Sequence, residues 1–210
     1  MSASTFIAGQ LRRPSGLFGR HVVSRILNRG NAAMNAHTLQ LLELVADDHV
    51  LEIGFGGGDL IARMTPIVTR GRIAGVDFSP DMTTFCTKRF RRHVQAGRLQ
   101  LDTADVRALP HDAATFTKAC TVNTIYFWPD PVAALASIRR VLHPGGRLVV
   151  SFNPPATAGK LPYTKHGFVL YEPDEVRGLL RDAGFGDVEV VAGSSGLGEF
   201  CCAVGTTSRT

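Results

Sequence analysis

The segment Val50-Leu51-Glu52-Ile53-Gly54-Phe55-Gly56-Gly57-Gly58-Asp59-Leu60-Ile61 decides the fold. Val50 to Ile53 is mostly apolar and β-prone, the composition of a strand buried in a parallel sheet. A glycine run follows, then Leu60, Ile61 and Met64 at helical spacing. Strand, glycine turn and helix together let backbone approach a nucleoside-type ligand at the carboxyl end of a strand. The dinucleotide pattern G-x-G-x-x-G needs its third glycine at residue 59, and that residue is Asp59. The chain instead carries Gly54, Gly56 and Gly58, preceded by an acid at Glu52. A carboxylate at the entrance repels a pyrophosphate and attracts an ammonium, so the expected ligand bears a cationic amino group.

Working outward, α and β patterns alternate. Before the turn, Met34, Thr38, Leu41 and Val45 recur at helical spacing and predict an amphipathic helix ending before Asp47. After it, the expected order is a helix from Leu60 to about Val68, a strand over Arg72 to Val76, and a helix from Pro80 to about Gln95. Strands at Leu99–Leu101 and Phe116–Val122 come next, then a helix through Leu135, Ile138 and Leu142. His143-Pro144-Gly145-Gly146 stops that helix, and a strand runs from Arg147 to Phe152. Residues 153–172, rich in Pro and Gly, read as an irregular loop or lid. A helix over Asp174–Ala183 and two β-prone runs, Val188–Val191 and Phe200–Val204, complete the chain. This alternation predicts an α/β, doubly wound, mostly parallel sheet. Residues 1–30 are expected to be an N-terminal helical extension or lid, and residues 31–210 the single globular domain.

At 210 residues, with 44% apolar and 20% charged content, the chain has the composition of a globular domain with an ample core. No apolar run reaches the roughly 20 residues of a membrane span. The four cysteines do not form a disulfide pattern, and no histidine and cysteine cluster has metal-ligand spacing, so a reducing, cytoplasmic setting and no metal are expected. The net charge of +5 is uneven: Arg12, Arg13, Arg20, Arg25 and Arg29 precede the first acid, and Lys88-Arg89-Phe90-Arg91-Arg92-His93 forms a second cluster. Such clusters serve anionic partners or simply form a solvated helix face. The Arg-rich N-terminus also resembles an organellar presequence, although it is expected to be retained.

Two more strand ends carry acids. Asp77 follows Gly54 at about the spacing, near 20 residues, of the carboxylate that binds ribose hydroxyls in nucleotide-binding βαβ units. Ser79 is the better N-cap for the helix opening at Pro80. Asp105 ends the third strand, where it could accept from an adenine amine with Val106 covering the ring, or merely stabilise a turn. The fourth strand ends at Asn123.

Glu52-x-Gly54-x-Gly56-x-Gly58, Gly75-x-Asp77, Ala104-Asp105 and Leu142-x-Pro144-Gly145-Gly146, in this order, resemble the class I S-adenosylmethionine-dependent methyltransferases. The resemblance covers about residues 30–205 and is closest to the small-molecule and quinone-biosynthesis sub-group. It implies a Rossmann-like sheet of seven strands, the last antiparallel, with helices on both faces. It implies S-adenosylmethionine as donor and S-adenosylhomocysteine as product. The methionine moiety would meet the glycine turn with Phe55, the ribose Asp77, and the adenine Phe78, Met82, Ala104, Asp105 and Val106, with Asn123 bordering the cofactor. Glu52 facing an ammonium agrees with this.

Methyl transfer from a sulfonium is an in-line displacement in which positioning supplies much of the catalysis. His37, Tyr126, Tyr163 and His166 are conceivable bases, and none is assigned. A family subset that methylates exocyclic amines carries Asn/Asp-Pro-Pro-aromatic after the fourth strand; here that position reads Asn123-Thr124-Ile125-Tyr126. Asn153-Pro154-Pro155-Ala156 follows the fifth strand and lacks the aromatic, so it is read as a mimic. Aromatics at Tyr126-Phe127-Trp128 and Tyr163–Tyr171 could wall a compact pocket or pack the next helix. A small-molecule acceptor is expected. A non-catalytic S-adenosylmethionine-binding regulator and a nucleic-acid methyltransferase using the basic N-terminus stay open as alternatives. Asp59 argues against a nicotinamide-dependent oxidoreductase.

Overall fold

The computed structural model describes residues 3–12 and 31–209. In chain order, α1 (Ala3–Arg12) and α2 (Ala32–Leu42) precede β1 (His49–Ile53), α3 (Asp59–Met64) and β2 (Arg72–Asp77). Next come α4 (Pro80–Arg89), α5 (Arg91–Gln95), β3 (Leu99–Thr103) and β4 (Phe116–Val122). The chain then continues through α6 (Pro131–Val141), β5 (Leu142–Phe152), α7 (Pro155–Ala158), α8 (Pro173–Asp182), β6 (Gly186–Ser195) and β7 (Gly198–Thr206). The strands form one sheet in the order β3-β2-β1-β4-β5-β7-β6. The first five pair in parallel, and β7 runs antiparallel between β5 and β6. This is the seven-stranded, mostly parallel, Rossmann-like sheet with helices on both faces.

Strand β1 shows why the sheet needs both layers. Leu51 and Ile53 enter the core formed with Leu135 and Ile138 of α6, while Val50 enters the opposite core with Leu42, Ile61 and Met64. Side chains alternate along a strand, so Glu52 shares Val50's face and is buried there. Ile53 pairs with Val76 on one side and Thr121 on the other, which brings the ends of β1, β2 and β4 to one edge.

Several boundaries differ from expectation, each for a local reason. Helix α2 buries Met34, Asn35, Thr38 and Leu42, and it ends at Glu43 in a left-handed conformation (φ 50°). Val45 therefore lies beyond the helix and is 59% exposed. The Thr38 hydroxyl fixes this phase by bonding Ser151 Oγ at 2.6 Å across the core. Helix α3 stops at Met64 rather than Val68 because Pro66 has no N–H to donate to the previous turn. The expected 80–95 helix divides at Phe90, whose backbone leaves helical geometry (φ −105°, ψ 22°) while its ring is buried. Strand β5 begins at Leu142 instead of Arg147, with an irregularity in pairing where Pro144-Gly145-Gly146 passes. Residues 153–172 contain α7 and a 3₁₀ turn over Pro162–Lys165.

Ser79 caps α4 and Asp130 caps α6, each with proline in the first turn. The N-terminal extension is described only as α1, which packs on the Pro162–Lys165 turn; the rest of the expected extension, residues 13–30 with Arg13, Arg20, Arg25 and Arg29, lies outside the described residues. All four cysteines are buried and free.

Candidate functional site

A cavity of about 630 Å³ opens at the carboxyl edge of the sheet, above β1, β2, β4 and β5. Strand order reverses between β1 and β4, and ligands of open α/β sheets bind outside the strand ends at such a point. The glycine turn forms its floor. Gly54 has φ +74°, and a Cβ there would come within 2.3 Å of the Thr124 methyl, so only glycine fits. Gly56, at φ +47°, has nothing within 4 Å of a built Cβ, which leaves open space over the turn.

Acids ring this floor. Asp77, at the tip of β2, accepts the Gly56 N–H and the Ser79 N–H, both at 2.8 Å. Burial pushes its carboxyl above the ordinary value, and these two amides oppose the shift. Glu52 is more extreme. Its carboxyl is buried, Oε2 has no hydrogen-bond partner, and its pKa is pushed up to about 8, first by burial and then by the Asp77 and Asp59 charges. A buried carboxyl oxygen with no partner is costly, and a donor on a ligand, an ammonium among them, would satisfy it.

Of the residues singled out from sequence, Glu52, Gly54, Phe55, Gly56, Asp77, Phe78, Ala104, Asp105, Val106 and Asn123 line the cavity. Gly58 and Met82 do not. Gly58 is the N-cap of α3, and its missing Cβ makes room for the Phe90 ring, 2.6 Å from where that Cβ would stand. Met82 is fully buried in the core. Asp105 caps the short turn at Val106–Ala108 and pairs with Arg107 at 2.6 Å, so the turn-stabilising role is present alongside its place on the wall. The Arg107 guanidinium and amide hold its carboxyl below the usual range.

Among the conceivable bases, Tyr126 and Tyr163 line the cavity. His166 is exposed and His37 packs edge-on against Phe200, neither on the cavity wall. The Tyr126 hydroxyl donates to Asn123 Oδ1 at 2.9 Å and accepts the Asn153 N–H. Burial raises both tyrosines above their ordinary values, which opposes a role as base.

The structure also brings in residues that the sequence did not single out for the site. Asn153, set aside as a motif mimic, reaches the wall because β5 ends beside β4, and its side chain donates to Asn123 Oδ1 at 3.2 Å. Asn31 accepts from Asn123 Nδ2 at 2.9 Å. The basic cluster is partly structural: Arg89 donates to the Gly57 carbonyl and Cys86 Sγ to the Gly56 carbonyl at 3.3 Å, bracing the glycine turn from α4. Phe127, Trp128, Tyr163 and Phe168 form an aromatic wall, and Ile7 and Leu11 of α1 reach it from the N-terminus. Among the described residues no group of three His, Cys, Asp or Glu is placed to hold a metal ion, and no helix is long and apolar enough to cross a membrane.

Comparison with known proteins agrees with this geometry. Residues 51–150 match the family model described as a methyltransferase domain. The O-methyltransferase cnsE of Penicillium expansum is 30% identical over 68% of this chain, and the chain spans only 54% of that relative. The ubiquinone/menaquinone biosynthesis C-methyltransferase UbiE of Paracoccus denitrificans is 29% identical over 67% of each chain. Among solved structures, a SAM dependent methyltransferase from Aquifex aeolicus superposes with a TM-score of 0.69, at 17% identity over 88% of this chain and 96% of that one.

Proposed function

Because this chain, through the domain at residues 51–150, belongs to the class I S-adenosylmethionine-dependent methyltransferases, we propose that it transfers a methyl group from S-adenosylmethionine to a small-molecule acceptor. The observation that carries the reading is Glu52: a buried carboxyl with an unpartnered oxygen, set beneath a glycine turn at the point where strand order reverses. It fits the ammonium of the methionine moiety, while a pyrophosphate at the same place would be repelled by the acids around it.

In this reading Glu52 holds the amino group, and Gly54 and Gly56 let the chain backbone lie against the methionine moiety. Asp77, already oriented by the Gly56 and Ser79 amides, accepts the ribose hydroxyls. Phe78, Ala104, Val106 and Asp105 flank the adenine. When bound, S-adenosylmethionine supplies an electrophilic methyl whose sulfur departs as a neutral thioether. The chain's task is then to position the acceptor and exclude water. Asn123 and Tyr126 stand between the two halves of the cavity, and α1, with Ile7 and Leu11 on the wall, serves as a lid. Four buried free cysteines support a reducing, cytoplasmic setting.

The test is a screen of candidate acceptors with an isotopically labelled methyl donor, reading products by mass. A labelled product whose formation stops in Asp77→Ala supports the reading. Binding of S-adenosylmethionine without turnover on any acceptor class would favour the non-catalytic regulator.

A further inference from the structure

The cavity divides by charge. Its ionisable wall residues among those described, Glu52, Asp59, Asp77, Asp105 and Arg107, all stand on the side formed by β1, β2, β3 and the start of α3. Tyrosines apart, the opposite side carries none. There Phe127 and Trp128 follow β4, Leu161, Tyr163 and Phe168 come from the segment after β5, and Leu197 comes from the β6–β7 turn. Phe168 joins this wall's rings, its centroid 4.6 Å from Phe127 in an edge-on arrangement and 5.6 Å from Tyr126 in a tilted one. Such rings offer edges and faces to a flat partner.

The polar groups on this side are uncharged. Tyr126, Asn123 and Asn31 satisfy one another in a chain: phenol to Asn123 Oδ1, then Asn123 Nδ2 to Asn31 Oδ1. Asn153 Nδ2 joins at Asn123 Oδ1, which leaves Asn153 Oδ1 with no hydrogen bond from a described residue. The network therefore presents an unfilled acceptor oxygen at the border between the aromatic wall and the cofactor side. A charged molecule here would lose hydration with no opposite charge among the described wall residues to replace it. A neutral one with a single N–H or O–H exchanges its hydrogen bond to water for one to Asn153 Oδ1.

We propose that the methyl acceptor is an uncharged, flat, largely apolar molecule bearing an N–H or O–H donor, and that Asn153 Oδ1 is the specificity-determining group that receives that donor. This rests on the methyltransferase reading above and adds to it the acceptor's chemical class and the residue that selects it. Asn153 acts by positioning, since a carboxamide cannot take a proton from the nucleophile.

The experiment is calorimetric titration of the whole chain, saturated with S-adenosylhomocysteine, with three matched probes: 2-naphthol, 2-methoxynaphthalene and 2-naphthoate. Expected is tightest binding of 2-naphthol, with the carboxylate weaker by about tenfold or more. In Asn153→Ala the advantage of 2-naphthol over its methyl ether disappears while S-adenosylhomocysteine affinity is retained. Phe168→Ala, a change that leaves the amide network in place, weakens both neutral probes together. Equal or tighter binding of 2-naphthoate, a 2-naphthol advantage that survives Asn153→Ala, or no binding of any probe to the saturated protein would each overturn the proposal. Failure of the wild-type chain to bind S-adenosylhomocysteine is a separate result, and it overturns the underlying reading and this inference with it.

Discussion

The Tyr126 hydroxyl donates to Asn123 Oδ1 at 2.9 Å and thereby holds a residue whose backbone sits at φ +57°, an uncommon conformation outside glycine. The pair joins the end of β4 to the end of β5 through Asn153, so the two halves of the cavity share one polar hinge.

Tyr126→Phe removes that hinge without removing the ring. The Asn153 N–H and Asn123 Oδ1 each lose a buried partner, so stability is expected to fall by about 1–3 kcal/mol. Turnover should decline while the shape of its pH profile stays unchanged, because burial raises the phenol above its ordinary value and opposes a role as base. Thermal unfolding and a pH–rate series check both parts.

Glu52 predicts a pH dependence of cofactor binding. In the free protein its pKa of about 8 keeps the carboxyl largely protonated at neutral pH. A bound ammonium favours the ionised form, so binding releases a proton, and affinity should rise with pH toward 8. The slope approaches about tenfold per pH unit on the acid side. Titrations in buffers of different ionisation enthalpy measure the released proton directly, and Glu52→Gln should abolish the release.

The same residue predicts a stability cost. The folded pKa lies above the unfolded value of 4.5, so the folded state binds the extra proton and loses stability as pH rises from about 4.5 to 8, with no further loss above. At pH 7 the penalty is on the order of 3 kcal/mol. Glu52→Gln should therefore raise the melting temperature of the ligand-free protein at pH 8, and the gain should vanish as pH falls toward 4.5.

Gly54→Ala meets two obstacles, the left-handed backbone and the Thr124 methyl 2.3 Å from the new Cβ. The expected cost is about 2–4 kcal/mol together. Adding Thr124→Ser removes that methyl and keeps the hydroxyl partner of Thr121, so the double variant should recover part of the loss. Denaturant unfolding of the single and double variants separates the steric part from the conformational part.

The glycine turn was legible because a fully buried parallel strand and its glycines leave a contiguous mark in the sequence. Glu52 and Asp77 were legible for the same reason, since strand ends can be counted. What the sequence could not show depended on neighbours distant along the chain. Gly54, Gly56 and Gly58 look equivalent in sequence, yet Gly54 is packed against the Thr124 methyl, Gly56 faces open space and Gly58 faces the Phe90 ring. The phase of α2 followed from Thr38 meeting Ser151, more than a hundred residues away. Asn153 gained its place only because β5 lies beside β4, and that adjacency has no local signal.

The central claim is that the Glu52, glycine-turn and Asp77 cluster binds S-adenosylmethionine, and the most direct measurement is its calorimetric titration into wild type and Asp77→Ala. Saturable one-to-one binding by wild type, weakened in Asp77→Ala by about tenfold or more through lost hydrogen bonds to a charged acceptor, is the predicted result. Absent binding by wild type, or unaltered affinity in the variant, would contradict it.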